Sequence, residues 1–185
     1  SDDLLSKTHF YNDLEEESEI QKFYNGQTVF ITGGTGFLGK ILVEKLLRIT
    51  KVKKIFLLIR PKKNVNPKRR LDILLSDPVF ERLKQRSLKC FDKITCLEGD
   101  VEQPDLGLSE KDKATIMDET TIVFHSAATV RFNENLKTAT KINVCGTKES
   151  LALGHQIKHL CVSPNSFYLF LFSYFSLFNL YYLPT

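Results

Sequence analysis

The stretch ITGGTGFLGKIL, residues 31–42, decides the fold because two glycine motifs overlap within it. Residues 34–40 have the spacing G-x-x-x-x-G-K, which is the phosphate-binding loop of nucleoside-triphosphate enzymes without its final residue. Residues 33–39 have the spacing G-x-x-G-x-x-G, which is typical of a dinucleotide-binding turn. The first motif needs Ser or Thr after its lysine, because that hydroxyl binds magnesium, and Ile41 occupies this position. The sequence therefore favours the dinucleotide-binding turn.

The segments on either side of the glycines provide the context that such a turn requires. The β-branched run TVFIT, residues 28–32, predicts a buried strand, and residues 37–50 carry apolar side chains at helical spacing. Between them, Gly33 permits a tight turn, Gly36 lets the backbone approach a pyrophosphate, and Gly39 lets the helix pack on the strand. Backbone N–H groups at the start of this helix would bind the negatively charged phosphates.

The rest of the sequence repeats the strand-to-helix order. The further predicted elements are strands at 53–60, 93–100 and 120–128, two short helices within 66–86 interrupted at Pro78, a helix within 108–119 capped by Ser109, and one long amphipathic helix at 134–157. Apolar runs such as KKIFLLIR suit a parallel sheet that helices cover on both faces. The predicted fold is α/β, a Rossmann-type doubly wound parallel sheet that is truncated after about four to five strands.

The composition is that of a globular domain and excludes several classes of function. Of 185 residues, 42% are hydrophobic and 26% charged, and the formal net charge is +4. Basic residues alternate with acidic ones along most of the chain, so no nucleic-acid partner is expected. Cys90, Cys96, Cys145 and Cys161 follow neither a metal-ligand nor a disulfide spacing. We therefore predict no metal site and reduced thiols in a cytosolic setting.

The residues after the second predicted strand indicate which dinucleotide binds. Proteins that prefer NAD place Asp or Glu there to bind the ribose 2′-hydroxyl, whereas this chain has Arg60, followed closely by Lys62 and Lys63. Arginine can pair with a 2′-phosphate through two parallel hydrogen bonds. NADPH is therefore the predicted cofactor. The bases further along, residues 68–70, are interpreted as part of a solvated basic loop.

Five motifs in order along the chain resemble those of one enzyme family. They are TGGTGFLG, LLIR, LEGDV, HSAATVRF and INVCGT, and they begin at residues 32, 57, 97, 125 and 142. This series resembles fatty acyl-CoA reductases, which are extended short-chain dehydrogenase/reductases of the male-sterility family. The resemblance covers roughly residues 23–160, and residues 23–48 are most similar to insect-type members.

The resemblance implies cofactor-binding roles for residues at the ends of all four predicted strands and on the last helix. They are Thr32, Gly33, Thr35, Gly36, Phe37 and Leu38 around the pyrophosphate, Arg60 at the adenosine phosphate, Asp100 and Val101 beside the adenine, Ala127 and Ala128 along the ribose, and Asn143 in the organisation of the active site. His125 lies within the fourth predicted strand, and we interpret it as a buried, hydrogen-bonded core residue.

The family resemblance implies NADPH-dependent reduction of a long-chain fatty acyl-CoA, through the aldehyde, to a fatty alcohol. Family members protonate the developing oxyanion with a Tyr-x-x-x-Lys pair, and no tyrosine of this chain has a lysine four residues later. No catalytic residue is therefore predicted, and the chain is expected to bind NADP(H) without reducing acyl-CoA. Two alternatives are a non-catalytic NADP-binding fragment and another extended short-chain dehydrogenase that acts on sterols or sugar nucleotides.

Three segments are predicted: a polar extension at residues 1–25, a partial NADP-binding Rossmann domain at 26–162, and an aromatic tail unlike the family at 163–185. The tail has no charged residue, so it is either a membrane segment, which implies membrane association, or non-homologous sequence such as intron read-through. No secretory signal is recognised. The resemblance implies a cytosol-facing location at the endoplasmic reticulum or peroxisomal membrane, and it leaves the oligomeric state open.

Overall fold

A computed structural model describes residues 17–62, 64–131 and 133–161 of the chain. Within these residues one four-stranded, fully parallel sheet has the strand order β3-β2-β1-β4. Its strands are β1 (Thr28–Thr32), β2 (Lys54–Ile59), β3 (Ile94–Glu98) and β4 (Ile122–His125). The predicted α/β class and Rossmann-type parallel sheet are confirmed.

Helices connect the strands and follow the last of them. The α-helices of the described residues are α1 (Glu19–Tyr24), α2 (Phe37–Ile49), α3 (Pro67–Leu75), α4 (Glu81–Arg86), α5 (Glu110–Glu119), α6 (Leu136–Thr140) and α7 (Gly146–Gln156). A turn of 3-10 helix, Pro78–Phe80, separates α3 from α4, as the proline predicts. Ser109 caps α5, because its side chain accepts a hydrogen bond from the Asp112 N–H.

The core has two halves, one on each face of the sheet. On one face, Val29, Ile31 and neighbouring strand residues pack against α2, α3 and α4. On the other, Phe30, Phe56 and Val123 pack against residues that include Ile116 of α5 and Leu153 of α7. Both faces of β1 are fully buried, which explains its continuous apolar sequence. The helices therefore cover both faces, as expected of a doubly wound sheet.

The last helical segment contains a turn that its sequence does not predict. Between α6 and α7, residues Lys141–Cys145 form a turn of π-helix, so one continuous helical rod contains three parts. A π-turn holds one extra residue within an α-helix and is often found at functional sites. The long helix predicted at 134–157 is present over 136–156, and its apolar spacing does not reveal the single extra residue.

The two chain ends lie mostly outside the described residues. Within the segment predicted as a polar extension, α1 has a complete capping box between Ser18 and Gln21. The Gln21 amide also donates to the carbonyl of Ile49 at 3.1 Å, which ties α1 to the end of α2. Residues 162–185, which hold the predicted aromatic tail, are outside the described residues. In the portion of the chain that is described, no helix combines the length and apolarity needed to cross a membrane.

Candidate dinucleotide-binding site

The turn between β1 and α2 is packed backbone against backbone. Gly33 has φ +73°, and a Cβ at this position would lie 2.5 Å from the backbone nitrogen of Ala127. A Cβ on Gly39 would lie 2.2 Å from the carbonyl oxygen of Gly33. The Gly36 N–H donates to that same carbonyl at 2.9 Å and closes the turn. Only glycine fits at residues 33 and 39, so the spacing in the sequence reflects this close packing.

The first turn of α2 presents backbone N–H groups without a side-chain acceptor. Gly36 is the N-cap residue and has no side chain to cap the helix. Phe37 and Leu38, which follow, leave 75% and 46% of their surface exposed. Uncapped N–H groups and the positive end of the helix dipole favour an anion at this point. Thr35 belongs to the glycine turn, just before the N-cap residue, and is half-buried.

The ends of β1 and β4 are joined through Thr32. Its carbonyl accepts hydrogen bonds from the Ser126 N–H at 3.2 Å and from the Ser126 hydroxyl at 2.8 Å. Its own hydroxyl oxygen accepts from the Ala127 N–H at 3.4 Å. Ala127 is half-buried and Ala128 is exposed, so small side chains line this edge of the sheet next to the glycine turn.

His125 lies beneath this junction and is only 2% exposed. Its Nδ1 is 2.7 Å from the hydroxyl of Thr32 and 2.9 Å from that of Ser150, and its Nε2 is 3.2 Å from that of Thr147. Burial lowers the pKa of His125 from 6.5 to about 4, because a charged imidazole would lose its hydration. The prediction of a buried, hydrogen-bonded core histidine is confirmed.

Asn143 is in the π-turn and holds the chain that follows β4. Its side-chain oxygen accepts from the Thr129 N–H at 2.9 Å, and its amide donates to the Thr129 carbonyl at 3.0 Å. Asn143 is 4% exposed. The residue therefore acts as a clamp on the backbone just beyond Ala127 and Ala128.

Acidic residues that follow β3 lie next to Arg60, which follows β2. The Arg60 Nη1 is 3.0 Å from a carboxylate oxygen of Glu102 and 3.6 Å from one of Asp100. Asp100 also accepts from the Glu102 N–H at 3.1 Å. The structure thus places Arg60 and Asp100 side by side and adds Glu102, which the sequence did not single out.

Arg70 was wrongly interpreted as part of a solvated loop. It is in the first turns of α3 and is half-buried, although Lys68 and Arg69 beside it are exposed. Its guanidinium donates to the backbone carbonyl of Arg60. Burial and then the nearby charge of Arg60 lower the pKa of Arg70. Two guanidinium groups therefore lie at the carboxyl end of β2, which the helices predicted within 66–86 could have indicated.

Val101 and the turn after it form the wall on the β3 side. A Cβ at Gly146 of α7 would lie 3.1 Å from the Cβ of Val101. Asp105 and Leu106 have φ values of 50° and 57°, so two non-glycine residues are left-handed in this turn. The Asp100 N–H donates to the carbonyl of Leu106 at 2.8 Å, which fixes Asp100 against the turn. No pattern in the sequence indicated these left-handed residues.

All the predicted cofactor residues lie at the carboxyl edge of the sheet or just beyond it. Parallel strands bring this about, because their carboxyl ends meet at one edge, and ligands of open α/β sheets bind there. The strand order changes direction between β1 and β4, next to the glycine turn. Asn143 reaches this edge from a helix through its contact with Thr129.

Comparison with known proteins identifies the family to which the chain belongs. The family model described as male sterility protein, an NAD-binding domain, matches residues 31–173. The chain belongs to this family. The resemblance to fatty acyl-CoA reductases is thereby confirmed, and a nicotinamide cofactor is the ligand that the family's NAD-binding domain takes.

Two relatives of this male sterility family member carry the reductase name. The chain is 50% identical over 149 residues to "Fatty acyl-CoA reductase wat" of Drosophila melanogaster, a match that covers 80% of this chain and 29% of that protein. It is 45% identical over 142 residues to "Fatty acyl-CoA reductase 1" of Homo sapiens, covering 76% of this chain and 28% of that protein. The chain therefore spans less than a third of the length of these relatives.

Two solved structures with the same fold are reductase domains. The terminal R domain of the myxalamid PKS-NRPS biosynthetic pathway has a TM-score of 0.59 and 30% identity, and the match covers 74% of this chain and 33% of that one. The reductase domain of a nonribosomal peptide synthetase from Mycobacterium tuberculosis has a TM-score of 0.57 and 31% identity, covering 72% and 31%. The male sterility family member thus shares its sheet with a wider group of reductases.

Proposed function

We propose that this chain forms the NADPH-binding part of a fatty acyl-CoA reductase, which reduces a long-chain acyl-CoA through the aldehyde to a primary alcohol. The observation that carries the proposal is the pair of guanidinium groups, Arg60 and Arg70, at the carboxyl end of β2. A strand end of this kind faces the adenosine ribose in dinucleotide-binding sheets. Two cations there favour a 2′-phosphate over a 2′-hydroxyl.

The glycine turn fits the pyrophosphate of such a cofactor. Cβ atoms at Gly33 and Gly39 would collide with backbone, and Gly36 leaves the start of α2 without a side-chain cap. A pyrophosphate needs this close approach to the backbone and these free N–H donors. We propose that Thr32, Thr35, Phe37 and Leu38 complete the turn around it.

The remaining predicted residues would hold the cofactor's other groups. Arg60 would bind the 2′-phosphate beside its ion pairs with Asp100 and Glu102. Asp100 and Val101 would flank the adenine, with Asp100 kept in place by Arg60. Ala127 and Ala128 would allow the ribose to approach the backbone, and Asn143 would fix their segment through Thr129. When bound, NADPH supplies a hydride to the substrate carbonyl.

The chain itself is proposed to bind the cofactor without completing the reduction. A carbonyl that accepts a hydride needs a proton donor close to the new oxyanion. The Tyr-x-x-x-Lys pair that fatty acyl-CoA reductases use for this step is absent from the sequence. His125 does not replace it, because the imidazole is buried beneath the sheet edge and neutral.

The cofactor preference can be tested by measuring the dissociation constants of NADPH and NADH with the purified chain. We expect NADPH to bind more tightly than NADH. We expect Arg60→Leu to raise the dissociation constant of NADPH about tenfold, since a hydrogen bond to a charged group contributes that much free energy. Arg86→Leu, on α4 and exposed, is the matched control and should change neither constant. Equal affinity for the two cofactors in the wild-type chain would refute the proposal.

The absence of turnover needs a separate assay. The purified 185-residue chain is incubated with NADPH and a long-chain saturated acyl-CoA, and fatty aldehyde and alcohol are extracted and quantified by gas chromatography. We expect neither product. Production of fatty alcohol by this chain alone would show that another residue supplies the proton.

The subcellular location is part of the same proposal. The family resemblance supports a cytosol-facing location at the endoplasmic reticulum or peroxisomal membrane. Fractionation of cells that express the protein at its natural level tests this. Recovery with microsomes or peroxisomes supports the proposal, and recovery in the matrix of another organelle contradicts it.

A further inference from the structure

A cavity of about 200 Å³ lies beside the glycine turn. Its lining residues are Thr35, Lys40, Arg70, Ile73, Leu74 and Asp77. Thr35 belongs to the glycine turn, and Arg70 contacts the end of β2 through the carbonyl of Arg60. The cavity therefore lies between the loop proposed for the pyrophosphate and the strand end proposed for the adenosine ribose.

Two of the charged residues in this cavity form an ion pair that links α2 to the loop after α3. The Lys40 Nζ is 2.5 Å from a carboxylate oxygen of Asp77, and the two side chains are 26% and 28% exposed. The hydrogen bond from Lys40 is the main reason that the pKa of Asp77 is lowered. Asp77 has a second role, because its other oxygen accepts from the Val79 N–H at 3.1 Å and caps the 3-10 turn.

We propose that Lys40 is a third cation for the 2′-phosphate of NADPH, and that Asp77 weakens its contribution by competing with the phosphate for the ammonium group. The inference rests on the proposed function and deepens it, since it names further residues that determine cofactor specificity. It also assigns a role to the lysine of the G-K pair at residues 39–40, which is not a triphosphate lysine because Ile41 follows it.

The chemistry of the three charged groups explains why such competition affects the phosphorylated cofactor most. A lysine ammonium has three donors at the end of a flexible stem, so it can contact a carboxylate and a phosphate together or exchange one for the other. The cavity carries two cations, Lys40 and Arg70, and one anion, Asp77. Neutralising Asp77 doubles the net positive charge there. A 2′-phosphate gains from this change, whereas the 2′-hydroxyl of NADH gains little.

The first test removes the ammonium. Lys40→Met keeps most of the side chain's length and apolar surface, and we expect the dissociation constant of NADPH to rise about fivefold while that of NADH changes less than about twofold. Lys45→Met is the matched control, because Lys45 is an exposed lysine on the same helix. It removes the same charge outside the cavity and should leave both constants unchanged.

The second test removes the competitor and predicts a gain. Asp77→Asn keeps an oxygen that can cap the turn at Val79, so the local structure should persist. We expect NADPH to bind about threefold more tightly, because the freed ammonium approaches the phosphate with less opposing charge. Asp118→Asn is the matched control, since Asp118 also holds a lysine, Lys158 at 2.7 Å, but on α5. It should not change NADPH affinity.

The double variant separates a direct effect of Asp77 from one through Lys40. If Asp77 acts through Lys40, Asp77→Asn should no longer tighten NADPH binding in the Lys40→Met background. Lys40→Met should weaken the binding of 2′,5′-ADP more than that of 5′-AMP, because only 2′,5′-ADP carries the 2′-phosphate. A Lys40→Met effect of equal size on NADPH and NADH would overturn the inference and place Lys40 at the pyrophosphate instead.

Failure of this inference differs from failure of the proposed function. If the wild-type chain prefers NADPH and Arg60→Leu removes that preference, the proposed function stands whatever Lys40 does. Unchanged NADPH affinity in both Lys40→Met and Asp77→Asn would then overturn the inference alone. If the wild-type chain binds the two cofactors equally, the proposed function fails first, and the role of Lys40 at a 2′-phosphate fails with it.

Discussion

The sheet has two strand-to-helix connections that lie side by side and are built in different ways. The first, between β1 and α2, is four residues long, Gly33–Gly36, and backbone atoms pack directly against each other. The second, between β4 and α6, is ten residues long, and polar side chains from elsewhere in the chain hold its described part. The first connection depends on the absence of Cβ atoms from its glycines, and the second depends on hydrogen bonds from the side chain of Asn143.

This difference determines how each connection responds to substitution. The close backbone packing leaves no space for a Cβ atom, so one added methyl group at Gly33 displaces backbone. The second connection is held by several hydrogen bonds, each of which contributes about 1 kcal/mol. Damage there should be partial, and His125, the last residue of β4 before this connection, should add a dependence on pH.

The largest effect is expected from Gly39→Ala, in the first turn of α2, which packs against the first connection. The new Cβ would lie 2.2 Å from the carbonyl oxygen of Gly33 and 2.6 Å from the Cα of Gly34. Overpacking of this kind against backbone should lower the free energy of unfolding by about 3 kcal/mol or more. Denaturant unfolding followed by circular dichroism measures this loss.

The matched control for that substitution is Gly154→Ala on α7. A Cβ at Gly154 would have no atom within 4 Å apart from its own helix and chain neighbours. Alanine is a better helix former than glycine, so this variant should be more stable by about 0.5–1 kcal/mol. Equal destabilisation by the two alanines would show that helix geometry, and not the close backbone approach at Gly39, is what matters.

A smaller effect is expected from Asn143→Ala in the second connection. The variant loses both hydrogen bonds to Thr129, at 2.9 and 3.0 Å, so it should lose about 2 kcal/mol of stability. Native-state hydrogen exchange should show faster exchange of the Thr129 amide, while amides of β1 and β2 keep their protection relative to global unfolding. Uniform loss of protection over the whole sheet would mean that the clamp is not local.

The smallest of these effects is a pH dependence caused by His125. The folded state lowers its pKa from 6.5 to about 4, so the unfolded chain binds more protons in this interval. The stability that the neutral imidazole contributes is therefore fully present above the pKa of the unfolded chain. It is lost as the pH falls towards the pKa of the folded state. Between the unfolded pKa and about pH 5, the free energy of unfolding should decrease by about 1.5 kcal/mol.

The control for this pH dependence is His125→Gln, which cannot titrate. Its stability should be lower at neutral pH, because the hydroxyls of Thr32 and Thr147 lose an imidazole partner. Its dependence on pH above about 5 should be nearly flat, since the carboxylates whose pKa is lowered titrate further down. A slope as steep as that of the wild-type chain would assign the effect to another group.

The sequence predicted the first connection well and the second poorly, for the same structural reason. Glycine spacing, the apolar run of β1 and the helical pattern of α2 are local, so they are visible within about 20 residues. The clamp by Asn143 joins residues 14 apart and depends on the π-turn, which no periodicity reveals. Arg70 was misinterpreted because its burial depends on where α3 packs, and Leu106 is left-handed although leucine rarely adopts this conformation.

The π-turn at Lys141–Cys145 amounts to a one-residue insertion, and this has a consequence for alignment and for engineering. Because the wider turn absorbs the extra residue, removing one residue from it would convert the rod from α6 to α7 into regular α-helix and leave the part after the deletion in nearly the same orientation. Thr147 and Ser150 would then keep facing His125, whose imidazole contacts both hydroxyls. A relative with one residue fewer in this segment should therefore be able to keep the histidine and both hydroxyls.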